Sequence, residues 1–414
     1  MPSFSVPCSS IWALLFMSLT AWADQPPPLM AYVGTYSSPQ PFMRHGEQML
    51  PPGNGRGIHL FQVDRKTGAL SPCGLYEQST SPTNLVLNAA KTRLYSMNAT
   101  DQFEGTESGS ISAFSVDPKD GHLTLINTVS SGGAGPTFAS PDPSGKFLLV
   151  ANYFGGSVSV LPIRADGGLE PPCDIHEGTG KVGPKKAASA PRGSFGISGH
   201  EQSHAHMIQP DPAGRFVFSA DLGTDQILVW KLDAGTGKLS PNTPDSVSLP
   251  PGDGPRHFAF HPNGRWFYSL QEEGATVAMF DYDAQKGRLS ARQTLSSLPP
   301  GFAGTCVASE ILIGPDGRHV YAANRLHDSI SCFDIGPDGR LSFVAEEWTH
   351  GDFPRAFNFD PSGAFLYSCN QRGDTIAQFR VEAGSGRLSF TGQYTPVGSP
   401  AIIVFLDLNR AGGH

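Results

Sequence analysis

The sequence predicts an all-β chain that folds as a seven-bladed β-propeller closed by its own C-terminal strand. Three observations support this fold class: a glycine hairpin turn repeats seven times, a proline-glycine turn repeats between those copies, and one unmatched apolar strand stands near the C-terminus. A four-stranded unit repeated at about 50 residues is the sequence signature of a propeller.

The first repeated turn is Gly-x-Leu preceded by a turn residue. Each copy follows a run of alternating apolar and polar residues, as in 111–116 and 330–335. Alternation followed by a glycine turn predicts a strand that enters a hairpin. The seven copies begin at Gly68, Gly121, Gly167, Gly237, Gly287, Gly339 and Gly386.

The second repeated turn combines proline and glycine and predicts the inner hairpin of each unit. Proline fixes φ in the turn, and glycine supplies a positive φ. Each unit is therefore predicted to hold an inner strand, this turn, a second strand, a loop, a third strand, the Gly-x-Leu turn and an outer strand. In the second unit, Leu87–Ala90 stands where the turn is expected. The other turns are Asp142–Gly145, Asp211–Gly214, His261–Gly264, Gly314–Gly317 and Asp360–Gly363.

The two ends of the chain are complementary. The N-terminal part supplies strands at 30–36, 58–63 and 70–77 without an inner strand, and the C-terminal part supplies the lone apolar strand Ala401–Leu406. Pairing Ala401–Leu406 with Ala31–Tyr36 completes the seventh blade and leaves no open sheet edge at the junction. Residues 24–414 are thus predicted to form a single propeller domain, with insertions at 37–56 and 174–203.

Residues 1–23 are predicted to be a signal peptide. They contain no charged side chain, run apolar from Ile11 to Leu19 and end in Ala21-Trp22-Ala23, a small-x-small processing site. The apolar run is too short for a membrane span. We therefore expect an exported protein, periplasmic or secreted, without stable membrane association.

Composition excludes some partners. The net charge is −8 and no run of Lys or Arg occurs, so nucleic acid is not an expected partner. The mature chain has five widely spaced cysteines and no CxxC, so neither a disulfide framework nor a zinc site is predicted. Cys332 and Cys369 are interpreted as buried apolar residues of strands. No cofactor is expected, and the oligomeric state is left open.

Propeller geometry selects the candidate site. Inner strands start, and second strands end, at the same face, so polar residues at both positions converge on one channel mouth. Such a concave polar funnel is the usual place for a small-molecule site. The charged and polar residues at these positions are His204, His206, Asp221, Arg256, His257, Glu272, Glu310, Arg325, Arg355 and Gln371.

Two alternatives apply to these residues. Positions equivalent by repeat can serve architecture alone, because charged hydrogen-bonding networks also stabilise propellers. His204-x-His206 could place two imidazoles on one strand face as metal ligands. No third ligand lies nearby in the sequence, so no metal site is predicted.

At these same positions the sequence resembles the seven-bladed propeller lactonase family, which includes propeller-type 6-phosphogluconolactonase and carboxy-cis,cis-muconate cyclase. The resemblance covers the whole mature chain. It implies catalytic roles for Arg256, Glu272, Arg325 and one of His204 and His206. The motifs that carry it are Tyr32–Tyr36, Ser203–His206, Gly254–His257, Phe260–Pro262, Glu272, Ser309-Glu310, Asn324-Arg325 and Pro354-Arg355.

Lactone hydrolysis requires a base to deprotonate water and positive charge where the oxyanion develops. Glu272 or a neutral histidine could be the base, while Arg256 and Arg325 bind the oxyanion or an anionic substituent. His257, Glu310, Arg355, Asp221 and Gln371 are expected to bind substrate. No G-x-S-x-G element stands out, which argues against a covalent serine mechanism.

The predicted function is therefore a lactone hydrolase similar to 6-phosphogluconolactonase, acting on a sugar lactone or a related small anionic lactone. A lactonising enzyme of muconate type and a non-catalytic exported binding protein are the alternatives. The substrate is left open, because phosphorylated sugar lactones belong to the cytoplasm whereas residues 1–23 predict export.

Overall fold

The computed structural model describes residues 28–44, 47–196 and 199–408. Within these residues the strands form seven four-stranded antiparallel sheets and one two-stranded sheet, and no helix occurs. The predicted all-β, seven-bladed propeller is confirmed. No helix in the described ranges has the length and hydropathy to cross a membrane. The predicted signal peptide, residues 1–23, lies outside the described residues.

Each blade orders its strands from the channel outward. Blade 1 contains β30 (Pro400–Asp407), β1 (Leu29–Thr35), β4 (Gly57–Val63) and β5 (Leu70–Glu77). Blade 2 contains β6 (Pro82–Leu87), β7 (Arg93–Asn98), β8 (Ser110–Val116) and β9 (Leu123–Ser130). Blade 3 contains β10 (Pro136–Pro141), β11 (Phe147–Asn152), β12 (Ser157–Pro162) and β13 (Asp174–Glu177). Blade 4 contains β14 (Ala205–Pro210), β15 (Val217–Asp221), β16 (Gln226–Leu232) and β17 (Leu239–Ser248).

The remaining blades repeat the same order. Blade 5 contains β18 (Pro255–Phe260), β19 (Trp266–Gln271), β20 (Thr276–Asp283) and β21 (Arg288–Ser296). Blade 6 contains β22 (Val307–Ile313), β23 (His319–Arg325), β24 (Ser329–Ile335) and β25 (Leu341–Trp348). Blade 7 contains β26 (Pro354–Phe359), β27 (Phe365–Asn370), β28 (Thr375–Val381) and β29 (Leu388–Pro396).

Blade 1 closes the ring as predicted. Strand β30 pairs antiparallel with β1, with Ala31 opposite Phe405 and Val33 opposite Ile403. The side chains of Ile403 and Leu406 are fully buried. An ion pair of 2.6 Å between Arg65 Nη2 and Asp407 Oδ1 ties the end of β30 to the same blade.

Three of the five proline-glycine turns, those that begin at Asp142, Asp211 and Asp360, are held by the carboxylate at their first position. In blade 3, Asp142 Oδ1 accepts the backbone N–H groups of Lys146 and Phe147 at 2.9 and 2.7 Å, and Gly145 has φ 69°. Blade 2 builds the same turn without proline or glycine. Asn88 Oδ1 accepts two backbone N–H groups there, and Lys91 adopts φ 56°.

The Gly-x-Leu turns also join neighbouring blades. In five of the blade-to-blade seams a buried tyrosine of one blade donates its hydroxyl to the turn glycine carbonyl of the next, at 2.6 to 3.1 Å. A positive φ at the turn glycine, such as 85° at Gly339, favours this residue type. The donor and acceptor pairs are Tyr32 with Gly121, Tyr95 with Gly167, Tyr268 with Gly339, Tyr321 with Gly386, and Tyr367 with Gly68.

The hydrophobic core is distributed among these seams. Between blades 4 and 5, for example, Phe218, Phe258 and Phe267 pack with the residues around them in one buried cluster. Cys332 and Cys369 are buried in the core, which confirms their interpretation as apolar residues, and neither forms a disulfide.

The two predicted insertions differ in what they add. Residues 37–56 carry the short hairpin of β2 (Phe42–Arg44) and β3 (Glu47–Leu50). The second segment begins later than expected, because its first four residues, 174–177, form β13, the outer strand of blade 3. Pro171 and Pro172 lack the N–H needed for pairing, so the ladder lapses after an isolated bridge at Leu169 and resumes at Asp174.

Candidate active site

A β-bulge at the start of every inner strand positions the site. In each blade the register with the second strand shifts there, leaving unpaired residues on the inner strand. Bulges of this kind re-aim a side chain. The unpaired residues are Ala401, Thr83, Thr137, His206, Arg256, Ser309-Glu310 and Arg355, in order from blade 1 to blade 7.

The ends of the second strands supply the other half of the site. A buried amide side chain holds this end in several blades, as when Asn152 Nδ2 donates to Ser131 O and Asn370 Nδ2 donates to Thr349 O. The next residue in the chain reaches the channel mouth. In blades 3, 5, 6 and 7 this residue is Tyr153, Glu272, Arg325 and Gln371.

The centre of the site is one carboxylate between two arginines. Oε2 of Glu272 lies 2.8 Å from Nε of Arg256 and 2.7 Å from Nη2 of Arg325. All three side chains are at most 8% exposed. Removing one partner from such a buried group lowers the free energy of unfolding by about 3–5 kcal/mol, because the remaining charge is left unpaired.

Backbone carbonyls fix the two guanidinium groups. Arg325 donates to Val307 O and Ala308 O at 2.9 and 3.0 Å, and Arg256 Nη1 donates to Ser309 O. Burial, followed by the charges of Arg355 and Arg325, lowers the pKa of Arg256 to about 9, so it remains protonated at neutral pH. Both arginines are therefore preorganised cations, as stabilisation of a developing oxyanion requires.

Arg355 is the third arginine of the group, and it differs from the other two. Among the described residues no carboxylate lies within ion-pair distance of it, and its guanidinium rests 5.7 Å from the Tyr36 ring centroid. Its charge nevertheless acts on Arg256 and on His206. Arg355 is thus a cation that is available to a ligand.

His206 is buried beside these cations. Its Nδ1 has no hydrogen-bond partner among the described residues. Burial, then the charges of Arg256 and its neighbours, holds the pKa of His206 well below 6.5, so the ring is neutral at physiological pH. A neutral imidazole with an unengaged nitrogen can accept a proton.

Two aromatic contacts fix the ring of His206. The rings of Tyr153 and His257 pack edge to face with it, at centroid distances of 5.3 and 4.9 Å. His257 in turn has its Nδ1 2.7 Å from Glu310 Oε1, which orients that ring. Burial, followed by the charge of Glu272, raises the pKa of Tyr153 well above 10, so its phenol remains a donor.

His204 does not join this group. Its Nδ1 lies 2.8 Å from Tyr153 O and its Nε2 lies 2.9 Å from Glu201 Oε1, and the ring stacks on Tyr153 at 4.3 Å. Both nitrogens of His204 are therefore engaged, whereas Nδ1 of His206 is not. Within the described ranges, no three His, Cys, Asp or Glu side chains are placed to share a metal ion.

Asp221 and Gln371 were both expected to bind substrate. Asp221 occupies the position that Asn152 and Asn370 occupy in other blades. Its oxygens accept hydrogen bonds from Ser203 Oγ at 2.5 Å and from the His204 N–H at 2.8 Å. The structure therefore places Asp221 in the turn network. Gln371 lies at the channel mouth, half-buried, with no side-chain hydrogen bond recorded in the described part of the chain.

Sequence reasoning did not select the aromatic supports of the site. Tyr153 contacts both His204 and His206. The Tyr36 ring packs against the Arg355 guanidinium, and the Phe353 ring lies 5.0 Å from the Arg325 guanidinium. Tyr153 stands at the same strand-end position as Glu272, so its position was a usable signal. Tyr36 stands in the motif Tyr32–Tyr36 and Phe353 precedes Pro354-Arg355, but their contacts with the arginines could not be predicted because they depend on how neighbouring blades pack.

Fold and site together define a propeller hydrolase with a cationic channel mouth. A family model described as "Lactonase, 7-bladed beta-propeller" matches residues 30–405. The chain belongs to this family. It is 32% identical over 378 residues to a 6-phosphogluconolactonase of Bacillus subtilis, covering 91% of this chain and 98% of that protein.

Two further relatives agree with this assignment. A 6-phosphogluconolactonase of Pectobacterium carotovorum is 33% identical over 291 residues, covering 70% of this chain and 80% of that protein. The solved structure of a periplasmic gluconolactonase from Pseudomonas aeruginosa has a TM-score of 0.80 at 29% identity, covering 92% of this chain and 99% of that chain. The protein is accordingly a lactonase, a hydrolase of cyclic carboxylic esters.

Proposed function

We propose that the channel mouth hydrolyses a sugar lactone that carries an anionic substituent, with His206 as the general base. The observation that carries this proposal is the pair of buried arginines held on one oxygen of Glu272 beside a neutral histidine. Glu272 is a poor candidate for the base, because protonating it would remove the partner of two buried cations.

The reaction follows from these positions. His206 takes a proton from water as the water oxygen attacks the lactone carbonyl carbon. Arg256 and Arg325 stabilise the oxyanion that develops on the carbonyl oxygen. The ring C–O bond then breaks, and the proton held by His206 passes to the leaving alkoxide, which becomes the free hydroxyl of the aldonate.

Space for the uncharged body of the sugar lies at the side of the channel mouth that blades 1 to 3 form. The bulge residues of blades 1, 2 and 3 are Ala401, Thr83 and Thr137, all small and uncharged. The charged bulge residues, Arg256, Glu310 and Arg355, are confined to blades 5 to 7, and blade 4 contributes the neutral His206. This asymmetry supports a substrate whose uncharged body lies over blades 1 to 3 and whose anionic group meets Arg355.

The pH dependence tests His206. Because its pKa is lowered, the base stays neutral as pH falls through 6.5, so kcat/KM is expected to hold there and to decline only at clearly lower pH. His206→Asn is expected to lower kcat by about 10²–10⁴-fold, the contribution of a positioned base. Initial rates of acid release, corrected for spontaneous hydrolysis, give both results.

The control is His122→Asn, at an exposed histidine in the Gly-x-Leu turn of blade 2, which should match the wild type. An acid limb centred at or above pH 6.5 would remove His206 from the role of base.

Arg355 tests the substrate class. Relatives include 6-phosphogluconolactonases and a gluconolactonase, so the phosphorylated and unphosphorylated δ-lactones are the natural pair of substrates. We expect the wild type to prefer the phosphorylated lactone, which serves here as the probe for an anionic substituent, since an exported protein would meet another anionic lactone. Arg355→Gln should reduce kcat/KM for that lactone by about 10–100-fold, the loss of a charged hydrogen-bond pair, with a far smaller change for δ-gluconolactone.

Arg265→Gln is the matched control and should match the wild type, because the exposed Arg265 also rests on an aromatic ring, 5.1 Å from the Trp266 centroid, away from the site. If Arg355→Gln lowered kcat/KM equally for both lactones, Arg355 would not bind the anionic group. If the wild type preferred the unphosphorylated lactone, the proposed substrate class would be wrong.

The proposal includes export of the protein from the cytoplasm. The processing site Ala21-Trp22-Ala23 and the likeness to a periplasmic gluconolactonase support a site of action outside the cytoplasm. Protein expressed with a C-terminal tag is expected to begin near Asp24 in the exported fraction. Edman sequencing that found intact Met1 in the soluble cytoplasmic fraction would contradict export.

A further inference from the structure

A second cavity lies between blades 3 and 4, apart from the channel mouth. Its volume is about 400 Å³, and neither Arg256, Glu272 nor Arg325 lines it. Its inner wall includes Ser203 and Ala205, and its outer wall is made by the outer strands of both blades. The volume falls in the range of small-molecule pockets, about 300–1,000 Å³.

An irregular outer strand in blade 4 opens this cavity. Leu228 pairs with Ser246 and Trp230 pairs with Pro241, so four residues, 242–245, stand opposite Val229 alone. In blade 5 the equivalent shift leaves one extra residue, Arg292. Residues 242–245 thereby leave the regular ladder, and the cavity is lined there by Trp230, Asp245 and Ser246.

The cavity combines aromatic rings with unused polar groups. The Trp230 N–H donates to Ser219 Oγ at 2.9 Å, which leaves the indole face for other contacts, and the His176 ring lies 5.0 Å from it. Thr224 is 6% exposed and its Oγ1 has no partner among the described residues. Gln226 makes no recorded side-chain hydrogen bond in the same described part.

The charge of the cavity differs from that of the catalytic site. Glu177 and Asp245 line it, whereas no lysine or arginine is among its described lining residues. Carboxylates accept hydrogen bonds from hydroxyl groups and repel anions. An aldonate, the anionic product of lactone hydrolysis, is therefore excluded.

We propose that this interblade pocket binds an uncharged sugar. One face of the sugar ring lies against Trp230 and His176, as apolar ring faces pack on aromatic side chains. The hydroxyl groups bond to Thr224, Gln226 and the carboxylate of Asp245. The site is independent of the channel mouth, and its ligand differs from the catalytic substrate by carrying no charge.

Titration of the full mature protein with D-glucose tests this inference, with binding measured by calorimetry and by tryptophan fluorescence. We expect saturable binding of glucose and no binding of gluconate. Thr224→Val and Asp245→Asn should each weaken glucose binding about 5-fold, the loss of one hydrogen bond. Lactonase activity should be unchanged in both variants.

Thr375→Val and Asp338→Asn are the matched controls. Thr375 also has a buried hydroxyl without a partner among the described residues, and Asp338 is an exposed carboxylate of blade 6. Both controls should bind glucose like the wild type. Absence of saturable glucose binding, equal binding of gluconate, or wild-type affinity in both Thr224→Val and Asp245→Asn would each overturn the proposal.

Discussion

Replacing Arg325 with alanine is expected to lower kcat for lactone hydrolysis by about 10²–10³-fold, the cost of losing one preorganised oxyanion donor. Arg256→Ala should have a similar effect, because both guanidinium groups contact the same oxygen of Glu272. Arg325→Lys should restore little, since lysine keeps the charge but loses the planar fork that reaches two backbone carbonyls. Steady-state kinetics on these variants measure the effect.

Folding must be measured beside the kinetics, because each of these changes removes a buried charge partner. Glu272→Gln keeps the shape of the side chain and is expected to lower both kcat and the melting temperature. Arg292→Ala is the control, since Arg292 pairs with Asp281 on the surface, both about half exposed, and should alter neither. If Arg256→Ala and Arg325→Ala melted normally and retained kcat within about threefold of the wild type, neither arginine would be catalytic.

Deletion of residues 400–414 is expected to abolish folding. The deletion removes all of β30 and exposes the backbone groups of β1 along the whole ladder. It also removes the buried side chains of Ile402, Ile403, Phe405 and Leu406. Burial of each contributes about 1.5–3 kcal/mol, and the four together approach the total stability of a typical domain, about 5–15 kcal/mol.

Deletion of residues 409–414 is the control for that truncation, because it leaves every pair between β30 and β1 in place. Circular dichroism and size-exclusion chromatography of both proteins compare their folding. A soluble, cooperatively melting protein that lacks residues 400–414 would contradict closure of the ring by β30.

The blades could be predicted because local chemistry specifies them. The Gly-x-Leu turns require a glycine that tolerates positive φ, and three of the five proline-glycine turns carry their own carboxylate cap. Both features are therefore visible in the sequence. The late start of β13 was missed, although the cause, Pro171-Pro172, was visible too.

The site could be predicted only in part. Arg256, Glu272 and Arg325 were expected from strand position and family resemblance, and the structure brings them into contact. The difference between the two histidines depends on contacts that a two-residue spacing does not reveal, since Tyr153 O and Glu201 engage both nitrogens of His204 while Nδ1 of His206 is unengaged. The interblade cavity was also not foreseen, since it lies beside an irregular outer strand in which residues 242–245 stand opposite Val229 alone.

Lactone hydrolysis at the channel mouth is tested by measuring acid release at constant pH. Purified mature protein is given δ-gluconolactone or its 6-phosphate as substrate. We expect a saturable rate above spontaneous hydrolysis, proportional to protein concentration and greater for the phosphorylated lactone. We also expect Arg325→Ala to lose this rate while still folding cooperatively, with a lower melting temperature because Glu272 loses one of its two buried partners. A rate equal to that of buffer with both lactones would contradict lactone hydrolysis at the channel mouth.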